Sequence, residues 1–224
     1  MPNPVCSASL MCGSYLNTID DLSILAANNI HNVHIDIMDG HFVPNITFGF
    51  DFVNQIHTLP FIKDVHLMMD HPKLAIQSIN VSKDDIIFFH LECKDNPTNI
   101  IPHIKGKSKV GIVLNPETEP EMILPYIKSV DYIMLMCINP GFYGQKFINS
   151  SYVKAQKTLG FVKQLNPSVK VGVDGAIGHK EIIKFYNIGV EHFVLGTTAI
   201  YKGDLNANLK KLPTFNALLK TAES

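Results

Sequence analysis

Short runs of apolar, β-favouring residues recur along the chain, each followed by a longer stretch with the amphipathic spacing of a helix. The runs are Val5–Ser9, Val33–Ile37, Ile62–Met68, Ile86–His90, Val110–Leu114, Tyr132–Met136, Val169–Val173 and Glu191–Leu195. They start roughly 22 to 37 residues apart, the room that a strand, a helix and two short connections need. Helix starts are signalled at Asn17-Thr-Ile-Asp20 and at Asn115-Pro-Glu-Thr-Glu-Pro120, and Ser150–Gln164 reads as a third helix. Strands that are apolar nearly throughout are buried on both faces, which predicts a parallel sheet with helices on each side. Eight such units in 224 residues predict an α/β fold, a (β/α)8 TIM barrel that forms one domain over residues 1–224. A doubly wound open sheet is the alternative, and it would usually carry a Gly-rich phosphate loop after its first strand. The segment there is Leu10-Met-Cys-Gly-Ser-Tyr15, which has no GxGxxG spacing.

Composition narrows the partners. Apolar residues make up 46% of the chain and charged residues 17%, so a disordered or highly charged protein is excluded. A net charge of −1 argues against nucleic acid as a partner and against attachment to acidic membranes by charge. All 19 basic residues are Lys, so an anionic ligand must be held by Lys, by backbone N–H groups or by a metal. Cys6, Cys12, Cys93 and Cys137 form no CxxC pair and no framework spacing, so neither a disulfide scaffold nor a thiolate zinc site is expected. Met1-Pro-Asn-Pro4 does not open a signal peptide, and the apolar run Tyr132–Ile138 is too short to span a bilayer. A cytoplasmic protein is the expectation.

In a barrel, chemistry sits at the C-terminal ends of the strands. The second strand ends His34-Ile-Asp36-Ile-Met38-Asp39-Gly40, and residues two apart on a strand share a face. The third ends Asp64-Val-His66-Leu-Met68 and the seventh Val173-Asp174-Gly175. His34, Asp36, His66 and Asp174 should therefore converge at the barrel mouth. Two imidazoles and two carboxylates suit one divalent ion, with Zn²⁺ first and Mn²⁺, Fe²⁺ or Co²⁺ also fitting; Mg²⁺ favours all-oxygen sites. A single His or Asp at a strand end is more often structural, and it is the convergence of three strand ends that favours a site. His57, His71, His103 and His179 fall in helical or loop positions and should be solvated. His90 and Glu92 end the fourth strand, as groups that orient a metal ligand from behind or as a plain hydrogen-bonded pair.

Three loops carry glycines that let backbone approach a ligand: Asn139-Pro-Gly141-Phe142-Tyr143-Gly144-Gln145, Asp174-Gly175-Ala176 and Gly196-Thr197-Thr198. Loops after strands 7 and 8 commonly seat a phosphate in this fold, and the lack of Arg points the same way. Met38, Met68 and Met136 lie at strand ends beside the proposed metal. Core filling is their ordinary role, and as a soft apolar collar they would also exclude water.

These segments together resemble the ribulose-phosphate 3-epimerases and the related allulose-6-phosphate 3-epimerases. The resemblance runs from about residue 5 to 210 and is carried by Ser9-Leu10, His34 through Thr47, Val65-His-Leu-Met68, Asn139 through Gln145, Val173-Asp-Gly175 and Gly196. It implies a (β/α)8 barrel, a divalent metal on His34, Asp36, His66 and Asp174, and a phosphorylated ketose as substrate. It also implies that Asp36 and Asp174 act as acid and base. Ser9, His66, the loop Gly141-Phe142-Tyr143-Gly144, Gly175 with Ala176, and Gly196 with Thr197 would contact substrate. Homo-oligomers, dimers or hexamers, are implied as well. The chain departs from the common pattern at Cys12-Gly-Ser14, Tyr143, Ala176 and Thr197; Ser9-Leu-Met-Cys12 and Gly196-Thr197 look more like the allulose-6-phosphate branch.

The chemistry fits the residues. Removing the C3 proton of a 2-ketose gives an enediolate whose charge a divalent cation can meet. Inverting C3 then calls for one acid/base group on each face of that plane, and Asp36 and Asp174 supply the pair. The expected reaction interconverts D-ribulose 5-phosphate and D-xylulose 5-phosphate, with D-allulose 6-phosphate and fructose 6-phosphate as the alternative pair. A barrel lyase or decarboxylase would need a Lys near the reacting carbon, and no strand end offers one. A non-catalytic sugar-phosphate binder would not require all four ligands.

Overall fold

The computed structural model describes residues 4–212. Eight strands close into one ring: β1 (Val5–Ser9), β2 (Asn32–Met38), β3 (Ile62–Met68), β4 (Ile86–His90), β5 (Lys109–Leu114), β6 (Tyr132–Met136), β7 (Lys170–Asp174) and β8 (His192–Leu195). Every neighbour runs parallel, and β8 pairs back onto β1. The barrel expected from the hydrophobic pattern is the fold. The one-domain expectation also covers residues 1–3 and 213–224, which lie outside the described residues.

The strands alternate with helices α1 (Thr18–Ala27), α2 (Phe50–Ile56), α3 (Lys73–Ser78), α4 (Pro97–Ile104), α5 (Ser151–Leu165), α6 (His179–Ile188) and α7 (Leu205–Leu209). Asn17 and Ser150 precede α1 and α5, as their start signals imply. The stretch opened by Asn115 does not become an α-helix; only a 3₁₀ turn forms, over Pro120–Ile123. Prolines at 116, 120 and 125 each lack the N–H that an α-helical ladder needs, so a longer helix cannot propagate there.

Strand periodicity sorts side chains into two cores. Residues such as Val33, Ile35, Val65, Leu67 and Ile87 pack outward beneath the helices. Inside the ring a second cluster gathers Phe88, Val113, Tyr132, Met134, Met136 and Val194. Gly111 makes room for the Phe88 ring, since a Cβ there would lie 2.1 Å from Phe88 Cδ1. The lumen is thus apolar along β5 and β6, and along β4 up to His90. Along β1, β2 and β3 it is polar, with Ser7, Ser9, His34, Asp36, Asp64 and His66 all buried.

At the opposite end from the mouth, Lys63 Nζ sits 2.7 Å from Asp85 Oδ2, with Lys63 2% exposed and Asp85 fully buried. The same carboxylate accepts from the Lys63 and Ser82 backbone N–H groups at 2.8 and 2.6 Å. Removing one partner of such a pair leaves an uncompensated charge out of water. Asp85→Ala is expected to lose about 3–5 kcal/mol of stability, read as a lower urea midpoint at unchanged slope.

Candidate active site

The β2–β3 register sets Asp36 beside His66, and the β6–β7 register sets Asp174 beside Met136. His34 and Asp36, two apart on β2, both face the lumen near its mouth. His34 Nε2 lies 3.2 Å from Asp36 Oδ1 and 3.6 Å from Asp174 Oδ2. His66 Nδ1 lies 3.1 and 3.6 Å from the same two oxygens, and 3.2 Å from His34 Nε2. One ligand atom from each of the four residues falls within 4.8 Å of all the others. The convergence expected from three separate strand ends is therefore present.

Two ring nitrogens and two carboxylate oxygens turned to one point make a donor set that fits a divalent cation. The electrostatics agree. Burial works to lower the His34 imidazole, but Asp36, Asp174 and Asp64 lift it to about 9. Burial works to raise Asp36, and His34 and His66 hold it well below the usual carboxylate range. Burial, with Asp36 nearby, leaves Asp174 above that range although His34 and His66 oppose the rise. Ser9 Oγ donates to Asp36 Oδ2 at 3.0 Å and fixes the carboxylate from the β1 side.

His66 is held from behind. With its Nδ1 turned to the carboxylates, its Nε2–H donates to His90 Nε2 at 2.8 Å, and His90 Nδ1–H donates to Glu92 Oε2 at 3.3 Å. Burial, with His66 alongside, pushes His90 down to about 4, which keeps that ring neutral. Glu92 Oε1 accepts from the Asn115 N–H at 2.8 Å and from the Thr118 hydroxyl. Although burial opposes it, His90, Thr118 and Asn115 hold Glu92 below the ordinary value. Of the two readings open for His90 and Glu92, the hydrogen-bonded pair is present, and it contacts His66 on the side away from the carboxylates.

A cleft of about 510 Å³ opens above these groups, with Ser9, Asp36 and Asp174 in its lining. His34 and His66, fully buried, lie behind the carboxylates and do not line it. Met38, Met68 and Met136 are buried and form part of its wall. Gly141, Phe142, Tyr143 and Gly144 line one side, with Phe142 and Tyr143 exposed at the rim. Asn45 Nδ2 donates to Gly141 O at 2.7 Å, tying the loop after β2 to the loop after β6. Gly175, Ala176, Gly196 and Thr197 line the β7–β8 side. Gly175 has φ +106° and leaves no space for a Cβ, which would lie 2.4 Å from Ile138 Cγ1. Ala176 follows at φ +53°, a left-handed conformation that costs an alanine where glycine is free.

His57, His71 and His179 are exposed as expected, although His57 Nδ1 lies 3.1 Å from Lys63 Nζ and His71 pairs with Asp95. His103 is half-buried rather than solvated, on the last turn of α4. Sequence reasoning passed over Met11, Ile138, Ile177 and Val194, which complete the cleft walls. Val194 was readable from the inward alternation of β8. Ser7, Asp64 and His192, a buried polar layer beneath the site, were also passed over.

A family model described as the Ribulose-phosphate 3 epimerase family matches residues 5–201. A Ribulose-phosphate 3-epimerase of Helicobacter pylori is 34% identical over 193 residues, covering 84% of this chain and 87% of that protein. One of Aquifex aeolicus is 31% identical over 208 residues, covering 91% and 93%. Among solved structures, KGPDC from Streptococcus mutans shares the fold with a TM-score of 0.64 at 11% identity, covering 99% of this chain and 98% of that one.

The donor set predicts one divalent ion per chain. Protein stripped with a chelator should gain thermal stability on titration with Zn²⁺, by about 2.7 kcal/mol at a hundredfold excess over Kd. The double variant His34→Ala with Asp174→Ala should lose that gain, as followed by calorimetry and metal analysis.

Proposed function

The chain belongs to the ribulose-phosphate 3-epimerase family, and from that premise we propose a metal-dependent isomerase that inverts C3 of D-ribulose 5-phosphate to give D-xylulose 5-phosphate, and the reverse. The observation that carries the reading is the placement of two carboxylates. Asp36 on β2 and Asp174 on β7 both line the cleft, and β1 and β8 lie between their strands in the ring. A ketose seated over β1 and β8 would have one carboxylate on each side of its C3 carbon.

In this scheme one aspartate takes the C3 proton and the other returns a proton to the opposite face, with the roles exchanged in the reverse direction. Ser9 keeps the Asp36 carboxylate in register for that transfer, and it lines the cleft where substrate would lie. A divalent cation on His34, Asp36, His66 and Asp174, Zn²⁺ by first choice, would supply positive charge beside the developing enediolate. The His90–Glu92 chain orients His66. Met38, Met68 and Met136 exclude water around C3 without offering competing protons. Gly144, Gly175, Ala176, Gly196 and Thr197 would seat the phosphate through backbone N–H groups, since the chain has no Arg to do so. Fixing the phosphate there sets C3 between the two acids, which is itself a large rate factor.

The four cysteines are free thiols, which suits a cytoplasmic enzyme. Among the described residues no helix is long and apolar enough to cross a membrane. Homo-oligomerisation, as a dimer or hexamer, belongs to the proposal; exposed Tyr15, Leu16 and Ile19 at the start of α1 are the kind of surface that another copy covers. A six-carbon substrate is a second reading, because Cys12 and Thr197, which carry the resemblance to the allulose-6-phosphate branch, both line the cleft.

The test is NMR in heavy water with each phosphorylated ketose. Wild type should exchange C3–H for deuterium as it epimerises, and the sugar with the larger kcat/KM identifies the substrate. Asp36→Asn and Asp174→Asn should each lower turnover by about 10²–10⁴-fold or more. Near-normal epimerisation by either variant would end the two-base scheme.

A further inference from the structure

Beneath the four ligands lies a second polar layer that the reaction as described does not use. His192 Nε2 is 2.7 Å from Asp64 Oδ2, and Ser7 Oγ donates to that same oxygen. Ser7 Oγ also lies 3.1 Å from His192 Nε2. All three residues are fully buried, so this Ser–His–Asp grouping is closed to any substrate. Both contacts to Asp64 fall on one carboxylate oxygen, Oδ2.

Asp64 Oδ1, by contrast, has no hydrogen-bond partner among the described residues, and neither has His34 Nδ1. The two orphans are complementary. With a cation held at Nε2, which faces Asp36 and Asp174, the one ring proton of His34 sits on Nδ1 as a buried donor in need of an acceptor. Asp64 Oδ1 is a buried acceptor in need of a donor. His34 and Asp64 are also direct partners in the β2–β3 register, both facing the lumen. The pair is too far apart or too poorly aligned for a direct bond, and a single buried water is the usual bridge between such groups.

We infer that Asp64 is a positioning residue: it holds His34 in the Nδ1–H tautomer across one buried water, so that Nε2 presents its lone pair to the cation. Ser7 and His192, by occupying Oδ2, leave Oδ1 as the oxygen that faces His34. Both ligand imidazoles are then oriented from behind, His66 by His90 and Glu92 and His34 by Asp64. A carboxylate or carbonyl in that position commonly sets the tautomer and basicity of a metal-ligating histidine.

The inference rests on the metal reading above, and the experiment separates the two. Zn²⁺ affinity is measured by chelator competition on wild type and Asp64→Asn, alongside the absorption spectrum of each protein loaded with Co²⁺. The expected result is Zn²⁺ binding about 10–100-fold weaker in the variant with a shifted Co²⁺ spectrum. A variant with a lower Tm but unchanged Zn²⁺ affinity and Co²⁺ spectrum would show a purely structural role and overturn the inference alone. Wild type that takes up no Zn²⁺ would remove the metal reading and the inference with it. If Asp64→Asn does not fold, ¹⁵N-histidine NMR of Zn²⁺-loaded wild type decides. A His34 Nδ1–H in slow exchange with solvent is expected, and rapid exchange would overturn the inference.

Discussion

Ser7, Ser9, His34, Asp36, Asp64, His66, His90 and His192 are all withdrawn from water inside one ring of strands. Polar groups so placed are costly unless each is met, and an unpaired charge is costlier still. The rest of the molecule follows from that demand. The carboxylates of Asp36, Asp64 and Glu92 answer the imidazoles, and the hydroxyls of Ser7 and Ser9 donate in turn to Asp64 and Asp36. Apart from unpartnered atoms such as His34 Nδ1 and Asp64 Oδ1, the side chains leave a point bounded by two nitrogens and two oxygens, where a cation is the natural complement.

Closure of the ring sets the distances. In a parallel sheet every second residue looks inward, and each strand is locked to its neighbours by a fixed register. His34 is level with Asp64 and Asp36 with His66, so the polar side chains stack in tiers along the lumen. Asp36 in the upper tier meets the cleft, while Asp64 in the lower tier meets only protein. Exchanging a tier residue therefore disturbs the one above it even where no substrate comes near.

The four proposed ligands were readable because their information is local. His34 and Asp36 sit two apart in one run, and the strand-end rule brings in His66 and Asp174 from theirs. The alternation of runs and helices likewise gave the barrel, since each βα unit announces itself within about 30 residues. The layer of Ser7, Asp64 and His192 was not readable in this way. Asp64 looks like an ordinary member of β3 until His192 is placed beside it, and Ser7 and His192 stand 185 positions apart. The stretch from Asn115 misled for a different reason: a sound cap motif preceded it, but its prolines denied the ladder that the cap would have started. The cleft walls at Met11 and Ile177 lie in the connections, where no period marks which way a side chain turns.

The lumen is divided lengthwise, apolar along β5, β6 and most of β4 and hydrogen-bonded along β1 to β3. The two halves tolerate change very differently. On the apolar side a methionine, a phenylalanine or a valine can be traded for another hydrocarbon of like volume at modest cost, so descendants of this chain can drift there. On the polar side each exchange strands a partner, and viable variants must arrive in matched sets. Change in this scaffold would thereby be admitted more readily in the loops and the hydrocarbon wall than in the ionic half.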